Sequence, residues 1–317
     1  MTDLEAVAVG ELLAVVEPAE IGARLASSSR LRKSIGGAEV NVALTLARLG
    51  HQVGWAGAVG DDPFGQRLRA LLEHEGVDCS ALRATREAPT SLAYAWRNER
   101  GDGQFQLMRL ADKLLSGDDV GNAGIAGAGA MLVGSVALAA SPSREAIYDA
   151  IELAREHDIP VIFDVNVRPT LWGSQSQLYA ACEPVLQHAT ILKLSLDDAR
   201  CLWGAETLAE AISHAGGHDP WLTVVTDGSR GLVVKQRGLE AIREFPVVAV
   251  EAVDPTGAGD AFTAALVTRM ARSGWALPSD EDIRFAMAAG ALATTRQGAL
   301  TALPRLIELE RFLAAYR

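Results

Sequence analysis

The chain has 317 residues, of which 49% are apolar and 22% charged, with a net charge of -11. This length and usage suit a soluble globular protein with a full buried core. The negative balance disfavours nucleic acid or an anionic membrane as partner, since both call for a basic face, but leaves room for a small anion held by local donors.

Three cysteines, Cys79, Cys182 and Cys201, lie far apart and without zinc or redox spacing. A disulfide framework is therefore not expected, and a reducing cytoplasm fits. The opening residues Met1-Thr2-Asp3-Leu4-Glu5 are acidic and lack the basic region of a signal peptide.

Taken in chain order, apolar strand runs alternate with helical periods. Ala6 to Val9 reads as a buried strand ending at Gly10, and Val40 to Leu49 as a helix closed by Gly50. Val53 to Val59 is a strand and Phe64 to His74 a helix. The uncharged stretch Gly121 to Ser143 is long enough to span a membrane, but its glycines, serines and Pro142 make it too polar. It is expected to hold a buried strand, Met131 to Val136. Then follow helix Arg144–His157, strand Val161–Val165, helix Gln175–His188 and strands Thr190–Leu194, Leu222–Thr226 and Gly231–Gln236. Val247 to Val253 reads as another buried strand, and helices are expected at Asp280–Thr294 and Pro304–Tyr316. Such alternation implies a parallel sheet covered on both faces, with ligands at the carboxyl ends of its strands. Leu12 to Ile35 and Ser91 to Leu110 break the pattern. They read as short strands with turn residues, including Asn98-Glu99-Arg100-Gly101-Asp102-Gly103, and are expected to form a small β lid over the site.

The chemistry concentrates in Asp254-Pro255-Thr256-Gly257-Ala258-Gly259-Asp260-Ala261-Phe262. This is a Gly-rich turn leading into the apolar helical run Ala261 to Met270. Unpaired N–H groups and the helix dipole make such a start an anion site. Asp260 beside that anion could take a proton from a hydroxyl during phosphoryl transfer. Asp is equally a good helix N-cap, so these residues alone leave both readings open. Neither the Gly-x-x-x-x-Gly-Lys-Ser/Thr loop nor a Gly-x-Gly-x-x-Gly after the first strand is present.

Other motifs accompany the turn. They are Gly36-Gly37-Ala38-Glu39-Val40-Asn41-Val42-Ala43 at a helix start, Gly60-Asp61-Asp62-Pro63-Phe64-Gly65, Asp164-Val165-Asn166-Val167-Arg168 and Thr226-Asp227-Gly228-Ser229-Arg230-Gly231. In order and spacing these resemble the ribokinase-like (PfkB) family of carbohydrate kinases over nearly the whole chain. The resemblance implies an α/β fold, a three-layer αβα sandwich with a mostly parallel central sheet and a small β-strand lid. It also implies a single domain over 1–317, with the lid formed by about 12–35 and 91–110. The implied partners are a small sugar or sugar acid, ATP and Mg²⁺.

The same resemblance implies roles for particular residues. Asp260 matches the general base that takes the proton of the sugar hydroxyl. Gly257, Ala258 and Gly259 match the amides that stabilise the transferred phosphoryl group. The helix start is expected to lower the pKa of Asp260. Gly36, Gly37 and Asn41 match the sugar-binding element. Ser195, Thr226, Gly228 and Gly231, with Gly257 and Gly259, match the nucleotide side, and the run 293–299 looks like an adenine wall. Many relatives carry Asn-x-x-Glu near the metal. Here Lys193-Leu194-Ser195-Leu196-Asp197-Asp198 stands there, so Ser195 replaces Asn and Asp198 replaces Glu as a group acting on Mg²⁺ through water. Asp254 and Thr256 match positions that bind a monovalent cation, K⁺, in some relatives.

For the substrate, Gly10-Glu11, the Gly37 to Asn41 run and Asp164 to Trp172 look most like 2-keto-3-deoxygluconate kinases. Arg109 and Arg168 match arginines near the substrate there, and a pair of guanidinium forks suits a carboxylate. Fructokinase or another PfkB sugar kinase is the alternative, because Arg109-Leu110-Ala111-Asp112-Lys113-Leu114-Leu115 also resembles the fructokinase pattern and the lid has Leu107 and Met108 where a Tyr is usual. A catalytically silent sugar- or nucleotide-binding regulator is the alternative of another class, against which the intact Asp260 argues. An exposed lid edge also offers a homodimer contact.

Overall fold

The computed structural model describes residues 4–20, 24–97 and 103–316. Residues 98–102 of the expected lid turn and the first residues of the acidic start, 1–3, lie outside them. The chain builds strands and helices in this order: β1 (Ala6–Val9), β2 (Leu13–Pro18), β3 (Leu31–Gly36), α1 (Ala38–Arg48), β4 (Val53–Gly60) and α2 (Pro63–His74). Next come β5 (Val77–Asp78), β6 (Leu82–Thr85), β7 (Leu92–Arg97), β8 (Gly103–Met108), α3 (Gly117–Gly121), β9 (Met131–Val133), α4 (Ser143–Glu156) and β10 (Val161–Asp164). The second half holds α5 (Gln175–His188), β11 (Ile191–Ser195), α6 (Leu196–Trp203), α7 (Leu208–Gly216), β12 (Leu222–Thr226), β13 (Leu232–Gln236) and β14 (Ile242–Phe245). The chain closes with α8 (Ala258–Arg272), α9 (Asp280–Ala293), α10 (Ala299–Ala302) and α11 (Leu306–Tyr316).

Among the described residues the main sheet has ten strands in the order β14-β13-β12-β11-β10-β9-β1-β4-β5, with β6 also on β4. From β12 to β5 every pairing is parallel, and β13 and β14 add an antiparallel edge. The period-two rule sorts the strand side chains cleanly onto two faces. Ala6, Ala8 and Leu132 join one core with α1, α2, α8 and α9. Val7, Val9, Met131 and Val133 join a second core with α4, α5, α6 and α7. Strands buried on both sides must be apolar throughout, which is why β1 reads Ala-Val-Ala-Val.

Local chemistry sets several boundaries. Asp62 caps α2 by accepting from the Phe64 and Gly65 amides, and Pro63 sits in the first turn where its missing N–H costs nothing. Gly37 turns the chain from β3 into α1 at φ +129°, with the Glu11 carbonyl oxygen 2.3 Å from where a Cβ would be. No other residue fits there.

The lid is a separate four-stranded sheet, β3-β2-β7-β8. β2 pairs antiparallel with β3 and parallel with β7, and β7 pairs antiparallel with β8. One of its faces carries Leu13, Val15, Ala93 and Ala95, with Leu107 against them.

The expected strand Val247–Val253 is not formed. The segment runs as irregular backbone, and Val247 and Val253 are about half exposed. Its apolar residues lack a sheet neighbour, and its end is tied instead by the Val253 and Asp254 amides to the Thr294 carbonyl. The strand expected to reach Val136 stops at Val133, and the chain bends at Ser135 and Val136 into the short helical turn Ala137–Ala139. Among the described residues no helix is long and apolar enough to cross a membrane.

Candidate active site

A cavity of about 430 Å³ lies between the lid and the carboxyl ends of the central strands. That volume is ordinary for a small-molecule site. Gly36, Gly37, Asn41, Arg168, Gly257, Gly259 and Asp260 all line it, as do Asp254, Thr256, Gln297, Gly298 and Ala299.

Asp260 is the third residue of α8, after the left-handed Gly257 (φ +85°). Its Oδ2 accepts a hydrogen bond from Asn41 Nδ2 at 2.7 Å. Burial, reinforced by the neighbouring Asp164 carboxylate, pushes the Asp260 carboxyl up to about 6. The Asn41 bond, Lys193 and Arg168 oppose that rise without cancelling it. The expected lowering by the helix start is thus overturned, because desolvation of a carboxylate outweighs a partial dipole charge. A base with that pKa is ionised at neutral pH yet still a useful proton acceptor.

Beneath Asp260 lies a buried ion pair. Lys193 Nζ on β11 donates to Asp164 Oδ1 at 2.9 Å, and Thr263 on α8 donates to Asp164 Oδ2 at 2.6 Å. Burial alone would push the Lys193 ammonium down, but Asp164, Asp260 and Asp198 together hold it above its ordinary value. Lys193 Nζ also comes within 2.9 Å of where a Gly259 Cβ would stand, so the second glycine of the turn is needed to seat the lysine. The sequence reading passed over Lys193 and Asp164. A lysine inside the otherwise apolar run Ile-Leu-Lys-Leu was the available signal.

Two further groups on the cavity went unassigned. Glu11, just past β1, is buried; its Oε1 accepts from the Ala38 amide at 3.3 Å, and its carboxyl is hydrogen-bonded with that of Glu39. Asn166, past the end of β10, holds a left-handed backbone at φ 45°, and its Nδ2 is buried without a protein hydrogen-bond partner. Glu39 stands behind Glu11, and burial with the adjacent Glu11 raises its carboxyl well above the usual range.

The other expected site residues fall elsewhere. Arg109 does not line the cavity. Its Nε donates to Asp112 at 2.5 Å and its Nη1 to the Val136 carbonyl at 2.6 Å, so it ties the end of the lid to the body. The expected pair of arginines around one carboxylate is therefore reduced to Arg168. Asp198 accepts from the Val167 amide with one oxygen and from the Ser195 amide and hydroxyl with the other. Ser195 and Asp198 thus form the capping box of α6, and the carboxylate is engaged in holding the end of β10. Ser195 and Thr226 are register partners at the ends of β11 and β12, outside the cavity, with Gly228 and Gly231 in the following turn. Asp254 accepts from the Thr256 amide and hydroxyl and from the Gly298 amide, which fixes the turn. Among the described residues no three His, Cys, Asp or Glu side chains converge as a metal-binding set.

Comparison with known proteins places this geometry. The family model "pfkB family carbohydrate kinase" matches residues 3–306. A fructokinase from Salmonella typhimurium is 36% identical over 293 residues, covering 90% of this chain and 94% of that one. Fructokinase from Vibrio cholerae, solved with fructose, ADP and calcium, superposes with a TM-score of 0.83 at 29% identity, over 98% of this chain and 99% of the other. Aminoimidazole riboside kinase from Salmonella enterica, solved with its riboside and an ATP analogue, does so with the same score, identity and coverage. The chain belongs to the pfkB family of carbohydrate kinases and is a phosphotransferase acting on a sugar hydroxyl.

Proposed function

We propose that the enzyme transfers the terminal phosphoryl group of ATP to a hydroxyl of a small sugar held between Asn41 and Asp260. The observation that carries this is the Asn41–Asp260 pair, at 2.7 Å, beside the Gly257–Gly259 turn on one cavity. Asp260 takes the hydroxyl proton as the acceptor oxygen bonds to the γ-phosphorus. The bond from that phosphorus to the bridging oxygen breaks, and ADP leaves. Amides of Gly257, Ala258 and Gly259 meet the charge on the moving group, where fixed donors act most strongly. Thr226, Gly228 and Gly231 take the nucleotide side, with 297–299 at the cavity end. Magnesium enters with ATP as part of the substrate, and no carboxylate of this chain is assigned to it.

Fructose is the first acceptor to test, since the relatives above include fructokinases and Arg109 is withdrawn from the cavity. A 2-keto-3-deoxy sugar acid is the second reading. It is favoured by Arg168, which lines the cavity and donates from Nη1 to the backbone carbonyls of Asn166 and Val167. The test is ADP release with Mg-ATP across fructose, 2-keto-3-deoxygluconate, gluconate, ribose and a nucleoside. Turnover with at least one sugar, lost in Asp260→Asn while ATP still binds, is the expected result. Turnover that survives the substitution would remove Asp260 from the mechanism.

A further inference from the structure

Helix α1 reaches the site from both of its ends. Asn41, in its first turn, holds Asp260. Seven residues on, about 10 Å along the axis at the rise of an α-helix, Arg48 closes the last turn with a side chain only 8% exposed. Its Nη1 donates to the Leu300 carbonyl at 2.7 Å and to the Leu303 carbonyl at 2.9 Å. These lie at the C-terminal end of α10, and the sequence explains why an outside donor is needed there. A continuing helix would bring the amide of residue 304 to the Leu300 carbonyl, but residue 304 is Pro and has no N–H. The rest of the guanidinium is fixed as well. Its Nε and Nη2 donate to the two carboxylate oxygens of Glu75 at 3.0 and 2.6 Å. The bond from Arg48 in turn holds the Glu75 carboxyl below its ordinary value. A planar fork engaged on both sides has little freedom left.

The far side of α10 lies against the anion turn. A Cβ on Gly257 would stand 3.4 Å from Ala299 and 3.5 Å from Leu303 Cδ2, so α10 packs directly on that glycine. The Gly298 amide, just before α10, is tied to Asp254 at the head of the same turn. A helix of four residues does not hold itself. Its place is set by Asp254 at one end and by Arg48 at the other.

We propose that Arg48 is a positioning residue for phosphoryl transfer. Acting through α10, it sets Gly257 against the moving phosphoryl group, while Asn41 on the same helix sets the proton acceptor. This rests on the sugar-kinase reading and deepens it: one helix aligns the two halves of the transition state. Arg48 touches no substrate, so its loss belongs in kcat and not in sugar binding.

The test replaces Arg48 in the whole chain and measures steady-state kinetics with Mg-ATP and the sugar that the wild type prefers. Here kcat is counted per ATP-binding site found by calorimetry. Arg48→Met is expected to lower kcat about tenfold to a hundredfold, the loss that a misplacement of about 1 Å brings, with the sugar KM nearly unchanged. Arg48→Lys keeps the charge without the fork and is expected to fall between that variant and the wild type. It also carries the test if the Met variant does not fold. Arg305→Met removes the exposed arm of the same Glu75 cluster and leaves both carbonyl bonds in place, so its kcat is expected to match the wild type. An unchanged kcat per site in either Arg48 variant would overturn the proposal. So would an equal loss in Arg305→Met, or a loss confined to the number of ATP-binding sites, since either marks Arg48 as a support of the fold alone. A wild type that turns over no sugar would sink the sugar-kinase reading itself, and this proposal with it.

Discussion

Asn41 and Asp260 are 219 residues apart in the chain and 2.7 Å apart in the fold. The bond joins the first turn of α1 to the first turn of α8. It fixes the direction of the carboxylate and stabilises its charged form inside a buried site. Several consequences can be measured.

Asp260→Asn keeps the shape of the side chain and removes its basicity. A positioned base contributes roughly 10²–10⁴-fold, so kcat should fall by that order while calorimetric ATP binding persists. Full loss of ATP binding would instead mark Asp260 as a structural support of the turn.

The pH profile follows from the Asp260 carboxyl at about 6. The base must be ionised, so kcat/KM should drop about tenfold per unit below pH 6 and level off above it. Asn41→Ala removes a bond that favours the charged form. The carboxyl then rises further, and the acid limb of the profile should move to higher pH. A limb that stays in place would show that Asn41 does not tune this group.

Stability should carry the same signature with its own sign. Asp260 has a folded-state pKa above the ordinary 3.8, so the folded protein holds a proton that the unfolded chain releases. The associated stabilisation is present at low pH and is lost as pH rises through about 6. Two units correspond to about 3 kcal/mol. Asp260→Asn should therefore gain stability relative to wild type at pH 8 compared with pH 4.5, as read from urea unfolding at the two values.

Lys193→Met leaves Asp164 buried without its ion partner. Breaking one half of such a pair costs roughly 3–5 kcal/mol. The double substitution with Asp164→Asn should recover most of that loss, because it removes the uncompensated charge as well. A double variant no more stable than the single one would mean that the lysine acts through packing.

The sequence carried the phosphoryl-transfer turn plainly, because its chemistry is local. Two glycines and an Asp at a helix start need only their neighbours to be understood. The alternation of strands and helices was equally open, since each face of a parallel sheet is written into its own run. What failed were judgements that depend on which partner a strand or a charged side chain finds, near or far in the chain. Val247–Val253 has the composition of a buried strand, but burial needs a neighbour, and β14 ends the sheet before it. Arg109 has the residue type of a carboxylate binder, yet its carboxylate proved to be Asp112, three positions along. Asp198 likewise found Ser195 and Val167. Lys193 was visible as a charge in an apolar strand, and only the crossing of β10 supplied its reason.

The lid leaves the body by very short leads. β1 ends at Val9 and β2 begins at Leu13, while β3 ends at Gly36 and α1 begins at Ala38. Glu11 sits on the first lead, and the second is the single residue Gly37. The cover of the pocket and the helix that carries Asn41 are thus joined through a single residue. A tilt of the cover would therefore be felt at Gly37 and at the start of α1, where Asn41 holds the Asp260 carboxylate.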